Sequence, residues 1–358
     1  MKHWIAVVRT VYTALPMRKP TSMWLLLPGL CLATLSFHAQ TAAGTSVGAA
    51  LLVANQGDRD LSIVDPVSAK QIAVVPVGGV TGHEVDVSPD GRTAYVPIYG
   101  NSGVGKPGTD GSTMAVIDIA SRKVTGTVDF GHGVRPHRPL YDANSGLLYV
   151  TTELDKTITA IDPHTLKIVG TIPTGQEQSH MLILSHDGRR GYTANVGPGT
   201  VSVLDMAARK TITIIPISAK TQRISISNDS KMVFTSDQVK PQLAVIDTAT
   251  NKIKTWVPLP GLGYGTAPTQ DGRWLLVAVP LAGKVAVVDL STLKVVRSID
   301  VPSAPQEILV RPDGKVAYVS CNLSHQVAAI NLSHDPSQWK VESLIEAGKG
   351  ADGLAWAK

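Results

Sequence analysis

Seven strand-like runs along the chain end in an acidic or amide residue, at Asp65, Asp118, Asp162, Asp205, Asp247, Asp289 and Asn331. Subtraction gives successive spacings of 53, 44, 43, 42, 42 and 42 residues. A second series keeps the same step, with turn signals at Ser88-Pro-Asp-Gly91, Asp142-Ala-Asn-Ser-Gly146, Ser185-His-Asp-Gly188, Ser227-Asn-Asp-Ser230, Thr269-Gln-Asp-Gly272 and Arg311-Pro-Asp-Gly314. Two landmarks in one register make the chain a tandem repeat, and a period of roughly 40–45 residues is that of a propeller blade.

The unit from Gln306 to Ile345 shows what one repeat must be. A short apolar run over Glu307 to Arg311 meets the turn Pro312-Asp-Gly314, and an alternating β-branched and aromatic run follows over Val316 to Cys321. After the loop Asn322 to His325 come two more strands, Gln326 to Asn331 and Trp339 to Ile345. Tight turns join the strands and no long helical period intervenes, so each unit is a four-stranded antiparallel meander rather than part of a parallel sheet. The N-terminal part supplies only the second, third and fourth strands, over Leu51 to Asn55, Leu61 to Asp65 and Gln71 to Val77. The C-terminal Asp352-Gly-Leu-Ala-Trp-Ala-Lys358 is a first-type strand with nothing after it. The fold class predicted is therefore an all-β, seven-bladed β-propeller whose C-terminal strand completes the N-terminal blade and hides two sheet edges. The acids that end the third strands belong to turns, since an Asp or Asn side chain accepts from backbone amides two residues on.

Residues 1–43 stand outside the repeat. Lys2, Arg9, Arg18 and Lys19 precede the apolar stretch Met23 to Phe37, and Ala39, Ala42 and Ala43 follow, the layout of a secretory signal peptide. The expected organisation is a leader over 1–43, a single propeller domain over 44–358, and a periplasmic or secreted monomer. Loss of the leader removes four bases and no acids, so the formal charge falls from +5 to +1. A uniformly basic face for nucleic acid or membrane is not indicated. Of the two cysteines only Cys321 would remain, which excludes an internal disulfide and is read as a structural thiol.

The second strands read Leu52-Val-Ala-Asn55, Tyr95-Val-Pro-Ile98, Tyr149-Val-Thr-Thr152, Tyr192-Thr-Ala-Asn195, Phe234-Thr-Ser-Asp237, Leu276-Val-Ala-Val279 and Tyr318-Val-Ser-Cys321. With the Ser-Pro-Asp-Gly turns and the Val-Ile-Asp endings, residues 51–358 resemble the YVTN family of β-propeller repeats, while the Trp-Asp endings of WD40 repeats are lacking. The resemblance implies an exported bacterial binding protein; related rings include haem d1-binding domains, quinoprotein subunits and lactonases.

In such a ring the blade-joining loops gather around one mouth of the central channel. Ahead of or at the start of the inner strands stand His83-Glu84, His137-Arg138, His180, Gln222-Arg223, Tyr264, Gln306-Glu307 and Asp352. His83, His137 and His180 come from successive blades, and three converging imidazoles are candidate ligands for copper, zinc or iron, or an axial ligand to a haem. Tyr264, Gln306 and Asp352 complete the ring as candidate cofactor contacts. The same face carries Arg135, Glu153, Asn195, Asp237, Asn322 and His325. Glu153 resembles the strand-end Glu of lactonase-type propellers, which with His137, Arg138 and Arg223 makes a candidate catalytic set for a lactone or related carboxylate.

The longest break in the period adds about ten residues within Tyr99 to Ser112, a Gly-rich segment expected as a lid or partner-contact loop near His83. The leading expectation is an exported binding propeller that holds a small ligand, a cofactor or metal, or a protein partner at the channel mouth. The alternative is a lactonase-like enzyme. Single-stranded nucleic acid binding is a third reading and requires basic and aromatic residues interleaved along one groove. Trp256, Trp274, Trp339 and Trp356 are instead scattered among strands, where packing between blades is the simpler use.

Overall fold

The computed structural model describes residues 48–358 except 80, 81, 102 and 334; the leader expected over residues 1–43 lies outside the described residues. Seven four-stranded antiparallel sheets form the ring of a β-propeller. Their inner strands, in ring order, are Ala351–Ala357, Asp86–Val87, Pro136–Asp142, Ser179–Leu184, Thr221–Ile226, Thr266–Pro268 and Pro305–Val310. The closure expected from the incomplete ends is present. Ala351–Ala357 pairs antiparallel with Ala50–Asn55, with Leu52 opposite Ala355 and Val53 opposite Leu354.

The strands hold their places for the reasons the repeat implied. The Asp65 carboxylate accepts from the Val67 amide at 3.0 Å, Asp162 from His164 at 2.9 Å, Asp289 from Ser291 at 2.8 Å, and the Asn331 side chain from Ser333 at 2.7 Å. Between blades, second and third strands interdigitate: Leu52, Ala54, Leu61 and Ile63 of one blade share a core with Val96, Ile98, Ala115 and Ile117 of the next. Fourth strands are largely exposed and anchor through one buried residue near their end, such as Val75, Ile172 or Ile345. The tryptophans pack between strands as expected, Trp274 edge-on to Trp339 and Trp356 stacked on Tyr318. Cys321 is fully buried, and burial raises its thiol to about 12, in keeping with a structural role.

The Gly-rich insertion differs from the free lid expected for it. Strands Thr93–Gly100 and Asp110–Asp118 run on into the segment, pairing Gly100 with Asp110. Tyr99 is buried, and Arg135 ties the remaining loop down through the Asp110 carboxylate at 2.6 Å and the Lys106 carbonyl at 2.8 Å. A strand-forming Tyr-Val-Pro-Ile-Tyr run outweighed the flanking glycines.

Candidate binding site in the central channel

Blade entry is built the same way several times around the ring. Arg135, Gln178 and Ala304, each two residues ahead of a channel residue, adopt left-handed backbone with φ of 50°, 52° and 57°. That conformation is uncommon for residues with a Cβ, and its repetition marks a device that turns the chain into the channel. The inner strands then bulge, with register shifts between Pro136 and Pro139, Ser179 and Met181, Thr221 and Ile224, and Pro305 and Ile308. A bulge breaks the alternation of side chains and re-aims the residues within it. Those residues are His137-Arg138, His180, Gln222-Arg223 and Gln306-Glu307. Hydroxyls of the neighbouring second strands replace the lost ladder bonds: Thr151 accepts from the Arg138 amide at 2.8 Å, Ser320 from the Glu307 amide at 3.0 Å, and Thr235 donates to the Arg223 carbonyl at 2.7 Å.

The side chains so aimed do not line an open mouth, as the sequence suggested; they pack on one another as a polar plug. Glu84 is its hub, fully buried, accepting from Arg138 at 3.0 Å and Arg223 at 2.5 Å. Arg223 also reaches Glu307 at 2.7 Å and Asp352 at 2.8 Å, and Arg138 reaches Glu307 at 3.4 Å. The Arg223 guanidinium lies over the Tyr264 ring at 5.2 Å. Where the inner strand carrying Asp352 passes the next blade, a Cβ on Gly353 would stand 2.6 Å from the Glu84 Cα, so only glycine permits this approach. Gln306 contributes through its backbone, its carbonyl accepting from the Gly265 amide at 3.1 Å.

Beside this network the three histidines come together. His137 and His180 stack with ring centroids 3.4 Å apart, and His83 lies 5.5 Å from His137. Tyr99 is edge-on to both stacked rings and donates to Glu153 at 2.8 Å. Glu153 in turn pairs with Nδ1 of His180. The Nδ1 of His137 donates to the His180 carbonyl at 3.1 Å, which leaves its lone pair on Nε2. Among the described residues, no group of three or more His, Cys, Asp or Glu is arranged to hold a metal ion. Of the four residues suggested for catalysis, Arg138 and Arg223 meet through Glu84 and Glu307, whereas His137 and Glu153 meet through His180. Asn195 and Asp237 are both buried and hold their own strand ends, through Ser202 and Val239 respectively.

Burial dominates the electrostatics. His83 is pushed down to about 3 by burial, with the neighbouring His180 and Arg223 adding to the effect, and His137 also falls well below the usual range, so both are neutral imidazoles near neutral pH. Burial, reinforced by the charge of Glu84, raises Glu307 to about 8; burial raises Asp352 to about 6 and shifts Asp86 in the same direction. The carboxyls of Glu84, Asp86, Glu307 and Asp352 thus outnumber the two guanidinium groups of Arg138 and Arg223. The Nε atoms of both arginines are buried without an acceptor.

Open volume lies on the far side of the plug. A cavity of about 460 Å³ runs along the inner strands from Arg138, Arg223 and Glu307 to the first turns of the blades, at His186, Asn228 and Gln270. Its walls are mixed, polar and apolar surface in nearly equal share, with Ile183, Leu309 and Trp356 among the apolar residues. A groove of about 480 Å³ lies apart from this chemistry, at Asp229, Asp271, Trp274 and Asp289, but those carboxylates accept from the amides of their own turns. Sequence reasoning passed over Asp86 and Tyr99 as channel residues. The signal for the plug was the hydroxyl at the second or third position of several second strands, Thr151, Thr235 and Ser320, which marks the bulge opposite it.

Haem was among the groups suggested for the histidines, and the fit is divided. Neutral, buried imidazoles are the right donor type. The stacked rings of His137 and His180, sealed by Tyr99, leave no slot between them for a macrocycle, and the open cavity is separated from them by Arg138 and Arg223.

No curated protein matches the sequence. A family model described as "Cytochrome D1 heme domain" matches residues 141–269. Among solved structures, the chain is similar to the hydrazine synthase of Kuenenia stuttgartiensis, with a TM-score of 0.64 and 18% identity over 76% of this chain and 89% of that one. It is also similar to the dihydro-heme d1 dehydrogenase NirN in complex with DHE, with a TM-score of 0.60 and 17% identity over 84% of this chain and 64% of that one. No helix among the described residues is long and apolar enough to cross a membrane. What the comparisons share with the coordinates is the propeller ring, and the family match adds a likeness to a haem-related domain over blades at the centre of the sequence.

Proposed function

We propose that the protein is an exported, YVTN-type binding propeller, residues 44–358 of the chain, that carries a small ligand or cofactor in its central channel. One observation supports this above all: a dense set of buried, perturbed ionisable groups closes one end of a cavity of ligand size. Burying so many charges adds little net stability, since desolvation offsets much of the Coulomb attraction, and hydrophobic residues would fill the same space more stably. A ring that needed only to close would not keep them.

Haem is the second reading, favoured by the cytochrome d1 match and by the neutral state of His83 and His137. Ligation would require the His137 and His180 rings to part. The experiment is native mass spectrometry and an absorption spectrum of mature protein taken from its exported compartment, followed by titration with haemin. A stoichiometric small molecule is expected, with its retention changed in Arg223→Met. A Soret band that forms with haemin and is lost in His83→Ala/His137→Ala supports the haem reading. Folded protein that neither carries nor takes up any small molecule refutes channel binding.

A further inference from the structure

The charge balance of the plug says which ligand chemistry the open channel favours. Four carboxyls, Glu84, Asp86, Glu307 and Asp352, share two guanidinium groups, and Arg138 and Arg223 are already engaged by Glu84, Glu307 and Asp352. Asp86 and Glu307 are the acids that reach the closed end of the cavity. The Asp86 carboxylate accepts from the Tyr141 amide at 2.6 Å through one oxygen, Oδ2. An anionic head entering here would meet an excess of like charge, and a neutral head would leave that excess in place. A cationic head would offset part of that excess. The partly exposed Ile183 and Leu309 give apolar surface to a hydrocarbon body, and Trp356 gives the lower channel an aromatic face.

We infer that the lower channel binds an organic cation, an amine with an apolar body whose charged head sits against Asp86 and Glu307. This inference rests on the small-ligand reading and names its ligand class. It also runs against haem, whose propionates are anionic. The raised value of Glu307, at about 8, adds a signature: near neutral pH the group carries a proton that an arriving ammonium expels. Binding therefore strengthens as the pH rises toward 8 and releases protons into the buffer. The groups that set this titration are Glu84, Arg138 and Arg223, which face Glu307 directly, with Asp86 and Asp352 as further acids of the same network.

The test is calorimetry and thermal shift on the full mature chain with matched series of aryl-alkyl amines, the corresponding alcohols and the corresponding carboxylates. Amines are expected to bind at least about tenfold more tightly than the alcohols, with carboxylates weakest, and with heats that vary with buffer ionisation. Glu307→Gln is expected to weaken the amines about tenfold, leave the alcohols unchanged and remove the proton release; Asp86→Asn serves if that variant does not fold. If carboxylates lead, or if the variants leave amine binding and its proton release intact, the inference falls while channel binding stands. If no series binds to folded protein, the inference falls, and channel binding falls with it only where the native mass spectra also show no small molecule.

Discussion

The titration of Glu307 makes a stability prediction that needs no ligand. Unfolded, the glutamate titrates near 4.5, whereas in the folded channel it is raised to about 8 by burial and by Glu84. Its folded value is the higher one, so its contribution is fully present below about 4.5 and is lost as the pH rises through 8. His83 behaves oppositely: its folded value, about 3, lies below the ordinary 6.5, so its contribution is present above 6.5 and is lost as the pH falls toward 3. His137 shifts in the same direction as His83. Between these limits the acids and the histidines oppose one another, and from pH 6.5 to 8 the slope belongs chiefly to Glu307, since the raised Tyr99 and Tyr264 titrate only at higher pH. From pH 6.5 to 8 the loss is about 1.6 kcal/mol, under the full rate of roughly 1.36 kcal/mol per pH unit because the group is half ionised at 8. With an unfolding entropy of roughly 2.1 cal/mol/K per residue, that is a fall of about 2.5 °C in Tm for a domain of this size.

Glu307→Gln isolates this term. A glutamine keeps the shape of the protonated acid, its oxygen accepting from one arginine and its amide donating toward Glu84, but cannot ionise. Melting curves of both proteins from pH 6.5 to 8, at fixed ionic strength, should show the wild type losing about 2.5 °C and the variant losing much less, with near-equal Tm at the acidic end. Parallel alkaline slopes for the two proteins would refute the assignment of the buried proton to Glu307.

Three further outcomes follow from the same geometry. Deleting Asp352–Lys358 removes the inner strand paired with Ala50–Asn55, about 1.5–3 kcal/mol for the buried Leu354, and a carboxylate of Arg223 worth about 3–5 kcal/mol when a buried pair is broken. Set against a typical total of about 5–15 kcal/mol, the truncated chain should be largely unfolded by circular dichroism. Arg223→Met leaves Glu84, Glu307 and Asp352 facing each other without their shared cation, so denaturant titration should show a loss of about 3–5 kcal/mol at neutral pH and a smaller one in mild acid, where the carboxyls are protonated. Cys321, buried and raised to about 12, should resist a thiol reagent at mildly alkaline pH in folded protein and react at once in denaturant.

The fold was legible because its determinants are local. An Asp or Asn two or three residues ahead of an amide makes a turn in every unit, and a β-branched run between two turns makes the same strand, so seven weak signals in one register became a ring. Even the closure was legible, because a lone first-type strand at Asp352 and a missing one before Leu51 leave few other ways to satisfy their backbone groups. Tyr99 was misplaced because glycines around it imitate a loop, and only the contact with His137, His180 and Glu153 shows what the tyrosine is for.

The site was legible in position but not in state. Strict alternation sends His137 and Arg138 to opposite faces of their strand, and only the bulge between Pro136 and Pro139 lets the pair serve the same plug. The two positions at each blade entry read His-Glu at 83, His-Arg at 137, His-Met at 180, Gln-Arg at 222, Tyr-Gly at 264, Gln-Glu at 306 and Asp-Gly at 352. Strands and turns repeat around these pairs while the pairs themselves do not, although the ring gives them equivalent frames. Structural demand alone would let equivalent frames converge on one solution, as the turn acids did. The architecture therefore resides in what the seven units share, and the chemistry in the dipeptides where they differ, which is why the carboxyl excess of the channel appears only when the ring brings residues 84, 138, 223, 307 and 352 together.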